Sequence, residues 1–477
     1  MSPPPDDDDH GCDWKQYAKH LEARVAILEK AFERRSEKRA KVPRTPKPAR
    51  TPEETRATRE ELAATRREGI VDDEPEVVRV PEDQKHCELC KGDNFRPVGD
   101  GKTSERYYWV EGHFRRRRLC REVLACRCSG TVVTAPLPDE WRDKGKYDAS
   151  VVAHLIVSKI AMALPHYRLE QSFERAGIPI ARSTLNNLFR KGAQRLLPLA
   201  AVLFDELKQR HIILADETSF NLTTAKSKAF IWVFVSDDLV GYRFSTGRGS
   251  SVPVEVLGGT SGVLVCDDYR GYDPAEAVSA RRRAGCFAHA RRKFIECGEA
   301  PEAEEAIELI HAIYSVEHEA ERREIVGTMK HLDLRREYAR PFWVALRKLA
   351  RAMRRRHGPK TLLGRAFRYV WRNQGPLSAF LHDARIPIDN NGAENALRIV
   401  ALGRKNYLFV HSEAPGHELA VLFSLVASCK KNGVNPQHYF TDVLARVATT
   451  PADQLRELLP HRWRPLDAPA PVAVFDE

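Results

Sequence analysis

The sequence predicts a multidomain α/β protein, in which a mixed sheet with helices on its faces is interrupted by a helical insertion and preceded by smaller modules. Three observations predict it. Between His211 and Gly249 three strand-like runs follow one another, HIILADET, AFIWVFVSD and GYRFSTGRG, and from Ser251 strands alternate with helices, the order that writes a mixed sheet with covered faces. Helical text then fills residues 298–385 before the last acidic helix. The length, 477 residues, suits about three domains, each able to bury its own core.

Composition narrows the function classes. The formal net charge is +11 and the pI about 9.1, with arginine dominating the visible clusters. Arginine pairs bidentately with phosphate, so a nucleic-acid partner is expected. The opening MSPPPDDDDH has no basic n-region or apolar segment, and no later run approaches the ~18 apolar residues of a membrane span. A cytoplasmic protein with no membrane partner is the expectation. Ten cysteines do not argue for secretion, because four of them bunch in metal-like spacing.

In residues 13–42, Leu21, Val25, Leu28 and Phe32 recur at spacings of four, three and four. That is a heptad seam short of three repeats, read as a coiled coil or as a lone amphipathic helix. The stretch RRSEKRAKVPRTPKPARTPEETRATREE mixes Pro, Lys, Arg, Thr and Glu with almost no large apolar residue, and residues 43–84 are read as a flexible basic linker.

Residues 85–135 carry Cys87 and Cys90 as C-x2-C, and Cys126 and Cys128 as C-x-C. Two thiolate pairs suit a tetrahedral structural zinc in a small module, with Cys120 as a substitute ligand; the plain alternative is unpaired cytosolic thiols. Arg115 to Arg118 would let this module grip DNA backbone.

Residues 145–205 read as three helices, Ala149 to Leu164, Tyr167 to Ala176, and a third capped by Ser183 after a turn at Gly177 and Pro179. The third carries Asn186, Asn187, Arg190 and Lys191, as a helix-turn-helix DNA reader would. Any three-helix bundle shows the same pattern.

The catalytic reading begins in residues 206–297. HIILADET ends in Asp216 and Glu217, and GVLVCDDY ends in Asp267 and Asp268; ligands of such sheets bind outside the carboxyl ends of the strands. RAGCFAHARRKF passes from a fifth strand into a basic helix with His289, Arg291, Arg292 and Lys293. His289 is a metal-site neighbour, a phosphate donor or a hydrogen-bonded core histidine. The insertion, 298–385, offers Arg347, Lys348, Arg351, Arg354, Arg355 and Arg356, a solvated helix side or a DNA platform.

Residues 386–410 return to the core. Asn391 is expected to cap a helix that Gly403 stops, with Asp389 as turn-former, Glu394 in the first turn and Arg398 one turn on. Alone, Glu394 reads as a capping carboxylate with an i,i+4 partner at Arg398. Beside Asp216 and Asp267 it completes the minimum set for two Mg²⁺ ions, which stabilise the attacking and leaving oxygens of an in-line phosphoryl displacement. Arg404 and Lys405, with the Arg291–Lys293 cluster, would flank the site against DNA phosphates. Residues 411–477 read as a C-terminal helical region.

Several blocks in one order carry a resemblance from Cys87 to LLPHRWRP: SKIAMALPHYRLEQSFERAGIPIARSTL, ADET, LVCDDYRGY, CFAHARRKF, IDNNGAENALRIVALGRKNYLF and GVNPQHYFTDVL. The chain resembles the insertion-sequence-66 family of bacterial DDE transposases. The resemblance implies an RNase H-like core, the acidic triad Asp216, Asp267 and Glu394, and two Mg²⁺ or Mn²⁺ ions. It also implies double-stranded DNA partners (element ends and target), a synaptic homo-oligomer with the N-terminal seam as a contact, small accessory proteins of the element, and a bacterial, nucleoid-associated location. Asp268 stands where the family usually has glycine, and the C-x-C knuckle departs from its commoner C-x2-C. A DNA-binding repressor that has lost catalysis is the alternative, which the intact triad opposes; the long DNA-binding N-terminal half disfavours a plain RNase H-type nuclease.

Overall fold

The computed structural model describes residues 123–125, 132–134, 147–175, 178–222, 228–407 and 411–465. The expected coil and linker, Arg115 to Arg118, and Cys87, Cys90, Cys120, Cys126 and Cys128 lie outside the described residues. Next to the second cysteine pair, β1 (Val123–Ala125) and β2 (Val132–Thr134) form an antiparallel ribbon.

Three helices follow: α1 (Ala149–Ile160), α2 (His166–Arg175) and α3 (Arg182–Arg195). Helix α1 starts at Asp148, whose carboxylate accepts the Ser150 N–H at 2.9 Å, and stops four residues short of the expected Leu164. Ser183 is not the cap of α3. The helix begins one residue earlier, and Glu170 of α2 accepts the Arg182 N–H at 2.8 Å while pairing with its guanidinium at 2.9 Å. The three helices share a small core of Leu155, Leu169, Phe173, Ile180 and Leu185. Ile156, Ile160, Phe189 and Ala193 on their other faces join the main core, so they are fused to the sheet and do not form a free-standing bundle.

Helix α4 (Leu197–Lys208) leads into the sheet. Its strands are β3 (Ile212–Phe220), β4 (Ala229–Val235), β5 (Val240–Ser245), then after α5 (Ser251–Leu257), β6 (Ser261–Val265), and after a 3-10 turn and α6 (Asp273–Ala277), β7 (Ala280–Ala284). The order is β5-β4-β3-β6-β7. The first three pair antiparallel, while β3–β6 and β6–β7 are parallel. This is the expected mixed sheet. Strand β3 is longer than its apolar run suggests, because two registers extend it. Ile212–Leu214 pair with Val263–Val265, and Leu214–Phe220 pair with β4.

After β7 comes α7 (Phe287–Ile295), then the inserted helices α8 (Pro301–Arg322), α9 (Met329–Leu334), α10 (Arg340–Arg356), α11 (Leu362–Arg372) and α12 (Gln374–Ser378). They bury their own core around Ile310, Trp343, Leu346 and Phe367, which also takes in Phe287 and Phe294 of α7 and Ile388. Helix α7 is therefore shared: one face anchors the inserted helices, and the other is left for polar work.

Helix α13 (Asn391–Tyr407) carries Glu394, and α14 (Glu413–Lys431) and α15 (Pro436–Arg446) close the fold. Helix α14 covers the edge of β5: the Ser424 and Ser428 hydroxyls accept the Tyr242 and Val240 N–H groups at 2.8 and 3.0 Å. An unpaired strand edge is a liability, and this one is satisfied by side chains. Among the described residues no helix is long and apolar enough to cross a membrane.

Candidate active site

Asp216 was expected at a strand end and sits in mid-strand. The position is equivalent, because β6 stops opposite Leu214, so Asp216 lies beyond the carboxyl end of its parallel neighbour. Glu217 donates its N–H to Asp216 Oδ1 at 2.8 Å. Burial pushes the Asp216 carboxyl up to about 7; that N–H opposes the rise, and the negative charges of Glu217, Asp267 and Glu394 add to it.

Asp267 follows β6 by two residues and accepts the Tyr269 N–H at 3.0 Å. Asp268 beside it is exposed.

Glu394 projects from the first turn of α13. His289 Nδ1 lies 3.7 Å from its Oε1 and Arg292 Nη2 lies 3.6 Å from its Oε2. Its ion-pair partners thus come from α7 and not from Arg398, which is exposed. Burial lowers the His289 pKa, against the pull of Glu394 and Asp267 toward the charged form. The ring faces the Glu394 carboxylate, and its Nδ1 makes no hydrogen bond among the described residues.

The joint that brings these elements together is made by residues the sequence reading passed over. Asn390 is fully buried. Its Nδ2 donates to the Ala215 carbonyl at 2.9 Å, its backbone N–H reaches Cys286 Sγ at 3.3 Å, and its carbonyl accepts the Ala393 and Glu394 N–H groups. Phe287 N–H donates to the Ile388 carbonyl at 2.9 Å. Strand β3, α7 and α13 are thereby tied within a few residues of Asp216, His289 and Glu394. Asn391, expected as the cap, is instead the first helical residue. Asp389 accepts its N–H at 3.0 Å and the Tyr314 hydroxyl of α8 at 2.9 Å, so the turn-former also latches the inserted helices.

Gly403 does not end α13. A Cβ there would meet the Tyr407 hydroxyl at 2.0 Å, so the glycine is explained by close packing within a helix that continues to Tyr407.

Two of the proposed DNA contacts are engaged inside the fold. Arg190 makes a bidentate pair with the buried Glu418 of α14, at 2.7 and 2.9 Å. Arg404 donates to the Thr218 hydroxyl at 3.3 Å and to the Ser219 carbonyl, bracing the far half of β3. The acceptor is a buried carboxylate for Arg190 and half-buried groups of β3 for Arg404. Lys293 lies 4.9 Å over the Tyr369 ring, Arg291 is half-buried, and Asn186, Arg292, Arg398 and Lys405 are exposed.

Glu217 was also overlooked. Its side chain is 2% exposed and receives Arg248 Nε at 2.9 Å and the Tyr272 hydroxyl at 2.8 Å. Burial raises its pKa, while those two donors hold it back.

The carboxylates fit divalent metal. Hard oxygen donors arrive from three elements, Glu394 Oε1 is buried without a hydrogen-bond donor, and Asp216 is destabilised as an anion by burial and like charge. A bound divalent cation relieves both.

Two family profiles match the chain, the Transposase IS66 family over residues 144–418 and the IS66 C-terminal element over residues 424–461. The uncharacterized protein y4jD of Sinorhizobium fredii is 31% identical over 414 residues, covering 82% of this chain and 80% of its own. The uncharacterized protein y4qI of the same organism is 30% identical over 400 residues, covering 79% and 74%. The profile over residues 144–418 takes in all three acids, and the chain belongs to the IS66 family of DDE transposases.

Proposed function

We propose that the chain is a DNA transposase that cuts the ends of an insertion sequence and joins the 3′ ends to target DNA by two-metal-ion phosphoryl transfer. The observation that carries this reading is the convergence of Asp216, Asp267 and Glu394 from a strand, a strand-end loop and a helix start, with Asp216 pushed up to about 7. The order and directions of the five strands are those expected of an RNase H-like core.

Asp216, Asp267 and Glu394 would hold the ions, Mg²⁺ or Mn²⁺, which when bound supply a nucleophile at neutral pH and stabilise the attacking and leaving oxygens. His289 and Arg292 set the direction of the Glu394 carboxylate. The Tyr269 N–H does the same for Asp267, and the Glu217 N–H for Asp216. Hydrolysis at an element end frees a 3′-hydroxyl, which then attacks target DNA in the same site. No covalent protein–DNA intermediate is required, which is why carboxylates suffice and no nucleophilic side chain is needed.

The same reading takes double-stranded DNA as partner, met by exposed Arg292, Arg398 and Lys405, with Asn186 and Lys191 on α3 as readers. It includes a synaptic homo-oligomer, accessory proteins of the element, and a structural zinc on Cys87, Cys90, Cys126 and Cys128, with residues 298–385 as an inserted domain. Metal analysis of the purified chain checks the zinc: about one ion per chain is expected, lost in the Cys87→Ser variant. The reaction is tested by incubating the full chain and its Asp267→Asn variant with element-end DNA and Mg²⁺. Cleavage and joining by the first and neither by the second is the expected result; equal activity would sink the mechanism.

A further inference from the structure

The loop between β5 and α5 places Arg248 between Gly247 and Gly249, at the rim of the acidic site. One edge of its guanidinium is fixed: Nε and Nη2 donate to Glu217 Oε1 at 2.9 and 2.5 Å. Its plane lies 4.0 Å over the Tyr269 ring, and the Tyr269 hydroxyl donates to the Arg248 carbonyl. The same Tyr269 gives its N–H to Asp267, so one residue couples the arginine to a proposed metal ligand.

A counter-ion for the buried Glu217 is the plain explanation of this arginine, and it covers only part of the geometry. Glu217 already has the Tyr272 hydroxyl on its other oxygen. Arg248 is 47% exposed, and Nη1 makes no hydrogen bond among the described residues. A guanidinium stacked and held along one edge has lost most of its rotamer freedom before any ligand arrives, so further hydrogen bonds from it cost little entropy. The charge of Asp267 acts on Arg248, so its remaining donors lie beside the acidic site. The fork geometry matches the non-bridging oxygens of a phosphodiester.

We propose that Arg248 is a substrate-binding residue that takes a backbone phosphate of the DNA next to the reacting one, with Glu217 and Tyr269 as its positioning residues. This rests on the reading of the acidic site as a DNA strand-transfer centre. Glu217 thereby gains a role distinct from the neighbouring Asp216: one carboxylate serves the metal, and the next holds the arginine.

The test is the salt dependence of binding of the full chain to a short DNA duplex of arbitrary sequence, with Ca²⁺ in place of Mg²⁺. Each neutralised phosphate contributes about 0.9 to the slope of log affinity against log salt. Arg248→Ala should lower that slope by about 0.9, while Arg456→Ala, which removes the same charge from the exposed C-terminal 3-10 segment, should leave it unchanged. Because Arg248→Ala strands the buried Glu217, the double variant Glu217→Gln/Arg248→Ala is measured beside it and should show the same loss. An unchanged slope in the double variant, or equal losses at Arg248 and Arg456, would overturn the contact. Cleavage of element-end DNA by wild type with Mg²⁺ is scored separately. Slope loss without wild-type cleavage removes the transposase reading and keeps the phosphate contact; cleavage without slope loss removes the contact alone.

Discussion

The side-chain amide of Asn390 donates to the carbonyl of Ala215 at 2.9 Å, one residue before Asp216 and four before Glu394. This bond docks the start of α13 on the middle of β3, so the distance between two of the three acids is set by a buried amide and not by the acids themselves.

Asn390→Ala leaves the Ala215 carbonyl buried without that donor, a loss of about 1–3 kcal/mol. The effect on catalysis should be larger than the effect on stability, since a displacement of about 1 Å costs on the order of 100-fold in rate. Thermal unfolding and Mg²⁺-dependent cleavage, measured on the same preparation, check this. A stability loss with unchanged turnover would make Asn390 purely structural.

Asp216→Asn should abolish cleavage and yet stabilise the metal-free protein at pH 8, by on the order of 1 kcal/mol, because it removes a buried charge facing other carboxylates. Added Mg²⁺ should raise the melting temperature of wild type and leave the variant nearly unmoved. Melting curves with and without Mg²⁺ provide the measurement.

Much of this was legible in the sequence, and what was not has a physical reason. The succession of strands and the positions proposed for the three acids follow from local patterns, because apolar runs end in carboxylates at β3 and β6 and a polar turn precedes Glu394. The partners of those acids do not. His289 and the Arg291–Lys293 cluster are legible beside the site, but their pairing with Glu394 is not: it depends on the Cys286–Asn390 and Phe287–Ile388 hydrogen bonds that hold α7 against α13. Arg190 reads as a surface arginine on α3; the buried Glu418 that captures it lies far along the chain on α14. Gly403 carries the signature of a helix stop, and only the Tyr407 hydroxyl lying over it shows that close packing is the reason for a missing side chain.

The Arg190–Glu418 pair gives a prediction that separates fold from DNA contact. Arg190→Ala should lower the unfolding free energy by about 1.5–3 kcal/mol for the lost charged hydrogen bonds, with no change in the salt slope of DNA binding. Lys191→Ala, an exposed neighbour on the same helix, should do the reverse. Denaturant melts paired with a salt titration distinguish the two.

A second buried cluster, around Glu317, gives a pH-dependent prediction. Burial pushes Glu317 of α8 up, but His331, 3.3 Å away, and the hydrogen bonds and charge of Arg335 outweigh it and hold the carboxyl below its ordinary value. Arg335 is 1% exposed and also donates to the carbonyls of Phe380, Asp383 and Ala384. A depressed folded pKa means stability present above the unfolded value, about 4.3, and lost as pH falls through the lower folded one. Glu317→Gln should cost about 3–5 kcal/mol at neutral pH, by leaving Arg335 without its partner. It should also flatten the acid limb of a stability–pH curve.

The most direct measurement uses the purified chain, Mg²⁺ and DNA carrying the ends of its own element, with products resolved strand by strand. Wild type should release 3′-hydroxyl ends and join them to target DNA, and Asp267→Asn and Glu394→Gln should each do so at least about a thousandfold more slowly, the scale of losing one preorganised charge contact in the transition state. Cleavage and joining by Asp267→Asn at the wild-type rate would contradict a carboxylate-held metal centre at Asp216, Asp267 and Glu394.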